Sequence, residues 1–99
     1  MFLDLHGYEV VTANDPIEAL ALMSKSLPNL IISDCMMPHM DGVEFSARVK
    51  ANPESKRIPI ILMSGAPERH NLTSPTYELF LRKPVLFELL MPEIQRLLR

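Results

Sequence analysis

Apolar positions along this chain follow two rhythms: short aliphatic runs alternate with stretches in which apolar residues recur every three to four positions. After a first stretch closed by Gly7, which reads as the end of a helix, Tyr8 to Thr12 forms a β-branched strand. Asp15-Pro16 then opens a helix. Asp15 suits the cap, Pro16 suits the first helical position, and Glu18, three residues past the cap, completes a capping box. Leu20, Met23 and Leu27 share the apolar face of that helix. Leu30, Ile31 and Ile32 make a strand that delivers Asp34 to its carboxyl end. A second cap follows at Asp41, with Glu44 again three residues on. Gly42, Phe45, Ser46 and Val49, at i, i+3, i+4 and i+7, form the buried stripe of a helix that stops before Asn52-Pro53.

Pro59 to Met63 is a continuous apolar run, as expected of a strand covered on both faces, and Leu79 to Leu81 is another. Four strands separated by helices predict a parallel α/β sheet. Pro67 to Thr73 has room for only a short helix before Pro75. Pro92 interrupts the leucine-rich stretch from Leu86 to Leu98 and removes the donor for the Glu88 carbonyl. Proline in a helix interior costs about 3 kcal/mol, so this stretch is predicted to kink or split, with Pro92 starting a second segment.

Composition narrows the function classes. Ninety-nine residues with 47% hydrophobic content make one domain spanning residues 1–99 and enough core to fold it. Ten Lys+Arg against twelve Asp+Glu leave a net charge of −2, which gives no electrostatic footprint for nucleic acid. The single cysteine, Cys35, cannot close an internal disulfide, so a reducing compartment, the cytoplasm, is expected. No apolar run reaches the roughly 18 residues of a membrane span, and no export signal is recognisable.

The candidate chemistry lies in SDCMMPHMDG, Ser33 to Gly42, where Asp34 ends a strand and a methionine-rich turn follows. Open α/β sheets place their ligand chemistry at that carboxyl edge. Ser64 ends the next strand, and Lys83-Pro84 ends the one after. One carboxylate, one hydroxyl and one ammonium suffice for phosphoryl transfer, in which the protein mainly positions groups and neutralises charge. Together these three separated matches resemble the response-regulator receiver domain of two-component signalling, the CheY-like family, over essentially the whole chain.

That resemblance implies a flavodoxin-like, three-layer α/β/α parallel sheet lacking its first strand and part of its first helix, since Met1 falls inside what should be that helix. It implies that Asp34 accepts a phosphoryl group from a histidine kinase or a histidine phosphotransfer protein and that the change passes to a downstream effector. Ser64 would donate its hydroxyl to a phosphoryl oxygen, Lys83 would neutralise charge ahead of a cis Lys-Pro bond, and Phe80 would be the switch aromatic. Mg²⁺ would be held by Asp34, the backbone carbonyl of Met36 and a carboxylate from the first strand. That last carboxylate is missing here. A second copy could complete a dimer, and no enzymatic turnover is implied beyond weak self-dephosphorylation.

The family strand order 2-1-3-4-5 puts the missing strand between Tyr8 to Thr12 and Leu30 to Asp34. Losing four or five buried aliphatic side chains amounts to something on the order of 10 kcal/mol, as much as a small domain's whole stability. The chain is therefore expected to be poorly stable unless the flanking strands close up, another chain fills the slot, or residues upstream supply it. The alternative function is a pseudo-receiver, an interaction module that is not phosphorylated because the acidic metal-binding residues are absent.

Blander readings apply elsewhere. Met36, Met37 and Met40 read as packing and loop residues, Cys35 as a small apolar residue in the turn, and Phe80 equally as core. His6, His39 and His70 show no metal-ligand spacing and read as solvent-facing. A haloacid-dehalogenase-like phosphatase would need a second aspartate two residues after the nucleophile, where Met36 stands. A serine hydrolase would need a GxSxG elbow, and Ser64 lies in MSGAP.

Overall fold

One antiparallel strand pair at the edge, and three parallel pairs beyond it, build a single sheet against which the three helices of the described residues pack. The computed structural model describes the backbone of residues 2–5, 7–67 and 76–98. In chain order the elements are β1 (Phe2–Leu5), β2 (Tyr8–Ala13), α1 (Pro16–Lys25), β3 (Leu30–Asp34), α2 (Gly42–Ala51), β4 (Ile60–Ser64), β5 (Leu79–Arg82) and α3 (Phe87–Leu97). The sheet has five strands in the order β1-β2-β3-β4-β5. β1 runs antiparallel to β2, and the other pairs are parallel.

Residues 2–5 correct the helical expectation for the start of the chain. Four residues are too few to nucleate a stable helix, whereas pairing with β2 satisfies an otherwise open sheet edge. Leu5 pairs with Tyr8, and Gly7, at φ +87°, supplies the positive φ that such a tight hairpin connection requires. The expected gap in the sheet is also absent. β2 pairs directly with β3, Val10 opposite Leu30 and Ala13 opposite Ser33, so the two flanking strands close the slot themselves.

Period-two alternation divides the strand side chains between two cores. Val11, Ala13, Ile31, Ile60 and Leu62 meet α1 through Ala19 and Met23 and α2 through Phe45 and Val49. Val10, Leu30, Ile32 and Ile61 meet α3 through Ile94, with Leu90, Met91 and Leu97 packed alongside. This is a three-layer α/β/α arrangement.

The caps form as read. Asp15 Oδ1 accepts from the Ile17 and Glu18 amides at 2.9 and 3.3 Å, and Asp41 Oδ1 accepts from the Glu44 amide at 2.8 Å. Gly42, Phe45, Ser46 and Val49 are the buried stripe of α2. Leu27 departs from its expected place, because α1 ends at Lys25 and Leu27 is exposed. Leu27 precedes Pro28, and a residue before proline is driven out of the helical region. Pro92 departs in the opposite sense: α3 runs unbroken through it. Burying Ile94 and covering Leu90, Met91 and Leu97 offsets the one backbone bond that Pro92 cannot make. The expected short helix at Pro67 to Thr73 falls mainly outside the described residues, as do His6 and His70.

Candidate functional site

Asp34 is the last residue of β3, and Lys83 follows directly on β5, two strands away. The Lys83 amide donates to the Ser64 carbonyl at 2.8 Å, prolonging the β4 and β5 ladder by one rung. From there the side chain crosses β4, and Nζ lies 2.6 Å from Asp34 Oδ1. The pair is only partly shielded, with side-chain exposures of 47% for Lys83 and 28% for Asp34, so solvent and reactants reach it. The Lys83-Pro84 peptide bond is cis.

β5 itself is aligned by a polar clamp at its opposite end. Glu78 Oε1 accepts from the Ile60 amide at 2.7 Å, and Lys50 Nζ on α2 donates to both Glu78 carboxylate oxygens and to the Ile58 carbonyl at 2.8 Å. Lys50→Met keeps the apolar stem and deletes these donors. It is expected to lower stability by about 1 kcal/mol, seen as an earlier urea midpoint at unchanged slope.

The turn after Asp34 is held close to β3 and β4. The Cys35 amide donates to the Met63 carbonyl at 2.9 Å, and the Gly42 amide donates to the Cys35 carbonyl at 2.7 Å. Cys35, Met37 and Met40 pack against the α1 and α2 core, and Met36 is exposed. His39 is exposed at φ +73°, within the same turn.

Ser64 sits differently from Asp34. Asp34 pairs with Met63, so Ser64 is one step further along and on the opposite face of the sheet. It is buried, and its Oγ accepts from the Ala66 amide at 3.0 Å. With Phe80, Tyr77, Met37 and Val43 it lines a cavity of about 490 Å³. Phe80 is half-buried against the α1 and α2 core, its ring 6.3 Å from that of Tyr77. Asp34 instead opens onto a smaller groove of about 160 Å³ lined also by Thr12, Ala13, Asn14, Ile32 and Met63. Sequence reasoning missed Thr12 and Asn14, because the resemblance placed another strand between them and Asp34.

The groove of Asp34 offers a divalent cation one carboxylate, already engaged by Lys83, and Met36, whose carbonyl the resemblance assigned to the metal, lines the Ser64 cavity and not this groove. Among the described residues no cluster of three or more His, Cys, Asp or Glu could hold a metal ion. With that one carboxylate paired to Lys83 and no second acid lining its groove, the set is a poor one for Mg²⁺, which is usually held by one or two carboxylates together with waters and phosphate oxygens.

A family model for the response regulator receiver domain matches residues 1–95. The chain is 35% identical to the response regulator PleD of Caulobacter vibrioides over 93% of its own length and 21% of PleD's. It thus spans about a fifth of that relative. Among solved structures, the Vibrio cholerae chemotaxis protein CheY4 matches with a TM-score of 0.76 and 34% identity, over 92% of this chain and 78% of that one. The Thermotoga maritima response regulator TrrA, solved with Mg²⁺ and BeF, matches with a TM-score of 0.76 and 28% identity over the same shares, 92% and 78%. The chain belongs to the response regulator receiver domain family of two-component signalling. Its four parallel strands and three helices match the flavodoxin-like receiver fold, without the strand that the family places between β2 and β3, and receivers are signalling modules.

Proposed function

We propose that this chain is a phosphoacceptor receiver in which Asp34 takes the phosphoryl group and Lys83 neutralises it. The observation that carries this reading is the 2.6 Å contact of Lys83 Nζ with Asp34 Oδ1 at the carboxyl edge of the sheet. In the transfer, an Asp34 carboxylate oxygen forms a bond to phosphorus as the phosphorus–nitrogen bond of a phosphohistidine breaks. The electron pair stays on the imidazole nitrogen, which takes a proton from solvent. Lys83 already lies where negative charge accumulates.

Ser64 is the second donor. Its Oγ accepts from the Ala66 amide and so keeps its own proton to give to a phosphoryl oxygen. Movement of Ser64 toward that oxygen draws on the cavity it shares with Phe80, which has room for the ring to follow. The phosphodonor is a histidine kinase or a histidine phosphotransfer protein, and the output goes to an effector that reads the altered Phe80 region. Residues 1–99 act as one incomplete receiver domain, a signalling module rather than an enzyme in its own right.

The pseudo-receiver reading is favoured by one observation, the lone carboxylate already paired to Lys83 without a fitting metal set. Labelling decides between the two. Incubation with acetyl phosphate followed by peptide mass spectrometry is expected to place an acyl phosphate on the peptide containing Asp34. An unlabelled Asp34 peptide from folded protein would leave only the pseudo-receiver.

A further inference from the structure

Direct pairing of β2 with β3 has a chemical consequence at the strand ends. Thr12 is opposite Ile32 and Ala13 is opposite Ser33, so the same register continued by one residue sets Asn14 level with Asp34. Alternation places Thr12 on the face of the sheet that carries Ile32 and Asp34, and Asn14, the residue just past the end of β2, borders the same groove. Thr12, Asn14 and Asp34 line one groove of about 160 Å³, well above the roughly 15 Å³ that admits a single water. Lys83 reaches Asp34 from the β5 side of β3, whereas Asn14 approaches from the β2 side. Asp34 is therefore flanked by a cation on one side and a neutral carboxamide on the other.

We infer that Asn14 is a binding residue of the Asp34 site, donating its amide N–H to an anionic oxygen carried there, so that the site takes a phosphoryl group without a fixed divalent cation. The inference rests on the phosphoacceptor reading and adds the residue on its open flank. A tetrahedral phosphoryl group on Asp34 presents oxygens in several directions, and Lys83 covers one. A carboxamide carries two N–H donors and no charge, so it serves an anion without competing with Lys83 for the carboxylate. A metal at the same place would need carboxylate oxygens, which Thr12, Ala13 and Asn14 do not provide.

The placement yields a test that needs no phosphate. Asn14→Asp puts a second carboxylate in the groove of Asp34, and two carboxylates there suit Mg²⁺. Titration with MgCl₂ alone, followed by calorimetry or by amide NMR shifts of residues 12–14 and 34–36, is expected to show binding at least about tenfold tighter than in the wild type. Asp34→Asn in the Asn14→Asp background is expected to remove the gain. Equal Mg²⁺ affinity of Asn14→Asp and wild type would overturn the inference, since the two side chains would then not share a site.

The donor role is read from labelling rates with acetyl phosphate. In excess EDTA the wild type is expected to label within about twofold of its rate in Mg²⁺, and Asn14→Ala about tenfold more slowly than wild type, the loss of one good hydrogen bond. Circular dichroism melting of Asn14→Ala, expected to match wild type, separates this loss from unfolding. Labelling of the wild type only when Mg²⁺ is present would overturn the metal-free site while sparing Asp34 as acceptor. Absence of labelling in both buffers would instead defeat the phosphoacceptor reading, and the donor role with it.

Discussion

Asp34→Asn is expected to abolish the acyl phosphate while leaving the protein folded. The amide oxygen that replaces the carboxylate is a neutral, weak nucleophile, and among the described residues no other strand ends on an acid, while Asp41 is committed to capping α2 at the Glu44 amide. Labelling should fall to background, a loss beyond about a hundredfold, in line with removing a covalent nucleophile. The fold should tolerate the change. Asp34 and Lys83 form a partly exposed pair, and such pairs contribute about 1 kcal/mol or less, because solvent screens them and ordering a lysine has its own entropy. Phosphate quantified by intact mass spectrometry, beside thermal melts of both proteins, checks the two halves together. Retained labelling would move the acceptor elsewhere, and a collapsed melt would make the pair structural.

The elements bordering Asp34 were legible because each rested on a local signal. Asp41, Glu44 and the stripe Gly42, Phe45, Ser46 and Val49 define α2 through capping and the 3.6-residue repeat, and the structure buries those four residues. The runs at Leu30 and Pro59 define central strands because both faces are covered. The misread parts depend on long-range pairing. Whether residues 2–5 are helix or strand is decided by the open edge of β2, which no local pattern encodes. Whether Pro92 breaks α3 is decided by the sheet beneath Ile94, not by the proline alone.

The site divides in the same way. Asp34, Ser64 and Lys83 were recognisable as three strand ends, and the contact of Asp34 with Lys83 follows from their strands being two apart in one parallel sheet. The face on which each side chain lies was not legible, because a register offset of one residue sends Ser64 to the cavity of Phe80 and Asp34 to the groove of Asn14. Asn14 was invisible for a related reason: its neighbour across the sheet depends on which strand lies beside β2.

Gly42→Ala should be the most destabilising single-methyl change near the site. A Cβ at residue 42 would lie 2.6 Å from the Asp34 carbonyl oxygen and 2.9 Å from Cys35 Cα, and both are backbone atoms that cannot rotate away. Relief requires α2 to retreat from β3, which stretches the 2.7 Å bond from the Gly42 amide to the Cys35 carbonyl and loosens Phe45 and Val49 in the core. Overpacking of this kind costs about 3 kcal/mol, a large share of the roughly 5–15 kcal/mol that stabilises a domain. Melting should accordingly fall by roughly 12–24 °C. Gly65→Ala is the control, since a Cβ there meets nothing within 4 Å and residue 65 is exposed. That variant should melt within about 3 °C of wild type, as substitutions within about 0.5 kcal/mol do. The displaced carbonyl belongs to Asp34 itself, so the surviving folded fraction of Gly42→Ala should also label more slowly. An unchanged melt would mean that α2 does not approach the Asp34 turn as closely as this packing requires, and the placement of Asp34 against Lys83 would lose its mechanical support.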